Sequence, residues 1–147
     1  MLHMQFNGVA REAGYTVPYQ AQDRGTCSNP PYRYKVSTWG WVGFGYASIQ
    51  QIKNALCQYG PVATSIHATS LFQNYTGGVF QQNTNASYGP IPSINHAIVI
   101  VGWDDAKGAW RIRNSWGTGW GESGYAWVKY NHNGIGWDTV WAVAKKP

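Results

Sequence analysis

The sequence predicts an α+β domain, with helices first and an antiparallel sheet after them. Three observations carry this. A capped amphipathic helix pattern spans Ser48–Tyr59. The β-branched run Ala97–Val101 is followed, across a turn, by an alternating run from Ala109 to Ser115. Two more strand-like stretches lie near the C-terminus. The chain has 147 residues, 44% of them apolar, enough for one domain with a buried core.

In chain order, Leu2–Ala13 reads as a short helix, because Phe6, Val9, Ala10 and Ala13 share one face and Gly14 stops it. From Gly14 to Gly45 the pattern is loop-like, broken by Pro18, Gly25, Pro30 and Pro31. Ser48 then starts the main helix, with Gln51 as its capping-box partner. Ile49, Ile52, Leu56 and Tyr59 form its buried stripe, and Gly60-Pro61 ends it. Val62–Ala68 is a strand. Ala97–Val101 is continuously apolar, which predicts a strand covered on both faces. Asp104–Gly108 is a turn. In Ala109–Ser115, Trp110 and Ile112 face one way and Arg111 and Arg113 the other, the pattern of a half-exposed strand. After a Gly- and Trp-rich loop, Tyr125–Tyr130 and Thr139–Ala144 complete the sheet.

Composition excludes several classes. No apolar run reaches the ~18 residues of a membrane-spanning helix. The opening Met1–Phe6 lacks the basic start and cleavage site of an export signal. Eleven Lys and Arg against six Asp and Glu give a net charge of +5, but the basic residues are scattered. Nucleic-acid binding, which wants them clustered, is not expected. Between Val36 and Val101 the only charged residue is Lys53. His3, His67, His96 and His132 have no metal-ligand spacing, and no Gly-rich phosphate loop occurs, so neither a metal nor a cofactor is expected. Of the two cysteines, Cys27 sits in a polar loop, while Cys57 falls in the helix pattern and reads as a small buried hydrophobe. The sequons at Asn74 and Asn85 are read as chance in an Asn- and Thr-rich chain.

The hairpin supplies the functional constraint. Its turn centres near position 106, so residue numbers across it sum to about 212. His96 therefore lies close to Asn114 and Trp116. Asn114 is placed to accept a hydrogen bond from one ring nitrogen of His96, fixing the tautomer and leaving the other nitrogen for a partner. Trp116 is placed to cover that contact.

These residues sit in longer motifs. Asn95-His96-Ala97-Ile98-Val99-Ile100-Val101-Gly102-Trp103, then Trp110 through Asn114-Ser115-Trp116-Gly117, then Trp120-Gly121-Glu122-Ser123-Gly124-Tyr125 closely resemble the papain-like cysteine peptidases. Pro18–Ala21 with Cys27, and Gly60-Pro61-Val62, extend the likeness over nearly the whole chain, and Gly134–Gly136 resembles the family's C-terminal segment without the Cys often found there. The resemblance implies a papain-like α+β fold, mainly its antiparallel β half with remnants of the helical half. Residues 1–45 would be that remnant and 46–147 the β-rich half. It also implies His96 as catalytic base and Asn114 as its orienter. Trp116 would shield the pair and Trp120 would line the leaving-group side. Ile94, Ala97 and Ser65 would line an apolar specificity pocket. The implied partners are peptide or protein substrates, in a secreted or lysosome-like compartment.

One part of the family pattern is absent. Its nucleophile sits in a Cys-Gly-Ser-Cys-Trp-type segment roughly 130–150 residues before the His, and only 95 residues precede His96. Neither Cys27 nor Cys57 is followed by Trp. The chain is thus expected to be the C-terminal two-thirds of the domain, inactive alone, with the missing N-terminal segment as its partner. Two other readings stay open. One is a non-catalytic papain-fold module that binds or inhibits. The other is a carbohydrate-binding module with Trp39, Trp41 and Tyr46 as its platform.

Overall fold

The computed structural model describes residues 35–82 and 94–145. The helix expected over Leu2–Ala13, the Cys27 loop and the Asn85 sequon lie outside them. The chain divides into two units, of which Gly40–Trp141 is the larger. The elements are β1 (Lys35–Trp41), α1 (Ile49–Tyr59), β2 (Val62–Ile66), α2 (Ser70–Gln73), β3 (Val79–Phe80), β4 (His96–Asp104), β5 (Ala109–Arg113), β6 (Tyr125–Lys129) and β7 (Trp137–Lys145). In the larger unit the strands are ordered β7-β2-β4-β5-β6-β3. All these pairings are antiparallel except β3 with β6. In the smaller unit, Ser37 Oγ donates to the Val143 carbonyl at 3.0 Å.

Helix α1 forms where its caps dictate. Ser48 Oγ accepts from the Gln51 amide, and the Gln51 side chain accepts from the Ser48 amide at 2.8 Å, so two of the helix's orphan donors are satisfied. At the other end Gly60 adopts φ +83°, a conformation open to glycine, and its N–H closes on the Leu56 carbonyl. The stripe buries Ile52 and Ala55 against the sheet, with Ile49, Leu56 and Tyr59 packed at its margin. Burying Ile52 alone contributes about 2 kcal/mol. Replacing Ser48 with Ala is expected to cost about 1 kcal/mol of unfolding free energy. A urea melt with an unshifted midpoint would contradict that.

The core lies on one face of β2, β4, β5 and β6. Val62, Ile66, Ile98, Ile100, Trp110, Ile112, Ala126 and Val128 line it, each at most 3% exposed. These residues alternate along their strands, as the two-residue pleat requires. β4 is therefore not covered on both faces as expected. Ile98 and Ile100 are buried, but Ala97 is exposed and Val99 half-buried. An unbroken apolar run does not reveal that its second face looks into an open groove.

Other expectations also change. Lys35–Trp41 is a strand, not loop, because the prolines that break the pattern all lie upstream of it. Cys57 is an exposed free thiol on the outer face of α1 and not a buried hydrophobe. Position 57 follows Leu56 on the turn that rolls away from Ile52 and Ala55.

The β4–β5 hairpin follows the expected register at the end that matters. Val99 pairs with Arg113 and Ile100 with Ile112; beyond Ile100 a bulge shifts the pairing by one, so that Trp103 faces Trp110. Lys107 bonds Asp104 within the turn, and Lys53 of α1 reaches Asp105.

Candidate active site

His96 is the first residue of β4, paired with Ile66 of β2. Asn114 directly follows β5, on the far side of the same hairpin. Their side chains meet, with His96 Nε2 and Asn114 Oδ1 2.8 Å apart. The amide orientation follows from a second bond. The Ser115 backbone N–H, which only donates, also points at Asn114 Oδ1 at 2.8 Å. Oδ1 is thus the carbonyl oxygen, and His96 Nε2 must carry the proton it donates. In the neutral ring Nδ1 is then left basic. Asn114 is buried, its N–H is held by the Gly124 carbonyl at 2.9 Å, and its Nδ2 finds no partner among the described residues. A neutral amide fixed this way orients the ring without adding charge.

Two further contacts hold His96. Asn95 bonds both backbone groups of Ala68, accepting from its N–H at 2.8 Å and donating to its carbonyl at 3.0 Å. The side chain thereby continues the β2–β4 ladder past its last backbone pair and pins the start of β4. On the other side the Trp116 ring stacks on the imidazole, with centroids 4.7 Å apart and planes 26° from parallel.

Trp116 is 37% exposed, whereas Trp120 is only 8% exposed and lies behind it. The two indoles meet edge to face at 5.3 Å. Phe72 touches both, and Tyr75 packs on Trp120 at 5.5 Å. Trp120 Nε1 donates to the Phe72 and Gln73 carbonyls. A recess of about 560 Å³ opens beside Gln73, Trp116, Gly119 and Trp120. Phe72 and Tyr75 were not foreseen as part of the site. The helix α2 that presents Phe72 has four residues, too few to leave a periodic signal.

The residues expected to line a specificity pocket are partly gathered. Ser65 and Ala97 are register partners, and so share a face, one position away from the Ile66–His96 pair. Ile94 is half-buried two residues before His96. A groove of about 480 Å³ lies on that outer face, lined by Ala63, Ala97, Val99, Arg113, Asn114 and Ser123 among others. Ala97 is in it; Ser65 and Ile94 are not. Ala63 and Val99 are a register pair that sequence reasoning did not single out.

A network behind the tryptophans fixes two ionisations. Glu122 takes the Arg111 guanidinium on one carboxylate oxygen and lies 3.0 Å from the Tyr75 hydroxyl with the other. The Arg111 hydrogen bond, above all, holds the Glu122 carboxyl below its usual range. Burial first, and the Glu122 carboxylate second, push the Tyr75 phenol up to about 12. A raised phenol pKa means the native state holds that proton more tightly. The stabilisation is complete below the unfolded phenol value, about 10, and is lost as pH rises from there to about 12. For Glu122 the sign is opposite. Its contribution is present above the ordinary carboxyl range and is lost as pH falls through the lowered native value. Thermal melts are therefore expected to decline above pH 10, and Tyr75→Phe is expected to flatten that decline. Parallel declines in both proteins would argue against this assignment.

The motifs, the sheet that carries them and the paired His and Asn find their counterparts in known proteins. A family model described as papain family cysteine protease matches residues 1–143. Cathepsin S of Bos taurus is 33% identical over 114 residues, covering 76% of this chain and 32% of the cathepsin. Fruit bromelain of Ananas comosus is 37% identical over 118 residues, covering 76% of the chain and 30% of the bromelain. A solved structure from work on the mite allergens Blo t 1 and Der p 1 superposes with a TM-score of 0.77 at 30% identity, covering 97% of this chain and 46% of that one. The chain belongs to the papain family of cysteine proteases, and its sheet is the β half of that fold. It spans about a third of the length of the two curated relatives named here.

Proposed function

We propose that this chain carries the general base and its orienter for a cysteine peptidase whose nucleophile lies in a segment outside these 147 residues. The observation that carries the reading is the His96 Nε2–Asn114 Oδ1 contact at 2.8 Å with Nδ1 left basic. In the assembled site Nδ1 of His96 takes the proton of the cysteine thiol, giving a thiolate–imidazolium pair. The thiolate attacks the peptide carbonyl. The imidazolium returns the proton to the leaving amine, and water then releases the acyl group. Asn114 holds the ring's orientation throughout, and its tautomer while the ring is neutral. Trp116 covers one face of the imidazole and keeps water from the Asn114 contact, which strengthens it.

The substrates in this reading are peptides or proteins. Ala97, with Ala63 and Val99 in the same groove, supports an apolar side chain beside the cleaved residue; Ser65 and Ile94 lie outside that groove. Trp116 and the recess next to it support a leaving-group side, with Trp120 beneath as its prop. A secreted or lysosome-like compartment agrees with the low charge between Val36 and Val101. The sugar-platform alternative draws less support, since the Tyr46 ring is engaged edge-on by Trp137 at 4.8 Å.

The test compares two proteins on a denatured protein substrate. The 147-residue chain alone is expected to show no turnover. The longer protein from the same gene is expected to cleave, and iodoacetamide is expected to stop it. Cleavage that survives thiol alkylation would overturn the proposal.

A further inference from the structure

We propose that Glu122 and Tyr75 are positioning residues for the His96 imidazole, acting through Trp120 and Trp116. The inference rests on the reading of His96 as the peptidase base. Its starting point is that Trp116, the ring stacked on His96, is itself more than one-third exposed. An exposed indole does not hold a fixed plane unaided, and its restraint has to come from behind.

Trp120 supplies that restraint. It meets Trp116 edge to face, and its own ring is fixed at two places. Its Nε1–H is shared between the Phe72 and Gln73 carbonyls, at 3.3 and 3.0 Å. Its face rests against Tyr75. Tyr75 is 6% exposed, and its hydroxyl is the hub of the region. It has one hydrogen, with the Gly78 carbonyl at 2.6 Å and the Glu122 carboxylate at 3.0 Å as acceptors, and it accepts from the Trp127 N–H at 3.3 Å. Glu122 in turn is anchored to β5 by Arg111.

The backbone agrees with this arrangement. Gly121, between Trp120 and Glu122, sits at φ +54°, and a Cβ there would meet the Tyr125 carbonyl at 2.6 Å and the Tyr75 ring at 3.0 Å. The loop carrying both tryptophans is thus pressed onto Tyr75 and tied to the sheet by Glu122. The line of contact runs from β5 through Arg111, Glu122, Tyr75, Trp120 and Trp116 to His96. It contains no group that touches substrate until its last two members.

The experiment uses the chain as it stands, isotopically labelled, and needs no nucleophile. Its readout is exchange of the His96 Nε2 proton with water, followed by NMR in the wild type, Glu122→Gln and Tyr75→Phe. That proton is donated to Asn114 from a ring stacked on Trp116, so its exchange is expected to require this contact to break, which a mobile Trp116 allows more often. Both variants are expected to speed its exchange by about tenfold or more, as for a local opening. The backbone amides of Ile100 and Ile112 should keep their wild-type protection. The double variant should add little to either single one, because both act on one line of contact. Unchanged His96 exchange in a folded variant would overturn the proposal. So would acceleration matched by the Ile100 and Ile112 amides, which would mean general loosening. Should Glu122→Gln fail to fold, Tyr75→Phe decides alone, since it keeps the ring and removes only the hydroxyl. An inactive longer protein would instead count against the peptidase reading and leave the exchange result standing.

Discussion

Replacing His96 with Ala in the longer protein is expected to lower kcat/KM by roughly ten-thousand-fold. The size follows from what the ring does in the proposed mechanism. Without it the thiol keeps its proton at neutral pH, and the leaving amine has no donor. Among the described residues no neighbour can take over, because the group touching the imidazole on one side is the neutral amide of Asn114 and on another the indole of Trp116. The loss should fall on kcat, with KM little changed, since the ring contributes little to holding the ground-state substrate. Steady-state kinetics on a peptide substrate, with the thiol titrated to count intact sites, checks this. A loss below about tenfold, in a variant that still folds, would remove His96 from the role given to it.

Trp110→Ala is expected to destabilise the fold by about 3–5 kcal/mol, several times the effect of removing the Ser48 cap. Trp110 is 1% exposed, faces Trp103 on one neighbouring strand and Val128 on the other, and packs on the Tyr130 ring at 4.6 Å. It sits in the centre of three strands, so the surrounding side chains have little room to collapse into the space it leaves. At this chain length the melting temperature should fall by roughly 10 °C or more. The urea midpoint should drop with the slope unchanged, which distinguishes lost stability from a changed unfolded state. A shift below about 1 kcal/mol would mean the core closes over the cavity, contrary to the packing described. The site should suffer with the core, because Asn114 follows directly on the strand that Trp110 anchors.

The parts of this fold legible in the sequence are those set by local rules. Ser48, Gln51 and Gly60 bound helix α1 because capping depends on residues three and four apart. The β4–β5 hairpin was legible because a turn fixes register, and register alone brings His96 to Asn114. The bulge after Ile100 lies between the turn and the site and moves the pairing by one, and it is on the site side of it that the expected register holds. What escaped is set by distant partners. Lys35–Trp41 carries no strong alternation of its own. α2 and β3 are too short for any periodicity to speak for them. Cys57 follows a buried stripe by one residue, and one residue is 100° of rotation on a helix. The support behind Trp116 was the least legible of all. Phe72, Tyr75 and Trp120 lie up to 48 residues apart, and no spacing rule joins them.

The most direct test of the central claim, that this chain is the base-carrying part of a papain-family peptidase, is to sequence the reading frame upstream of the Met1 codon. An open frame is expected that encodes, roughly 35–55 codons upstream, a Gln followed by a Cys-x-x-Cys-Trp-type segment. A stop codon directly before Met1, with a ribosome-entry signal, would contradict it. His96 and Asn114 would then be a paired His and Asn with no nucleophile to serve.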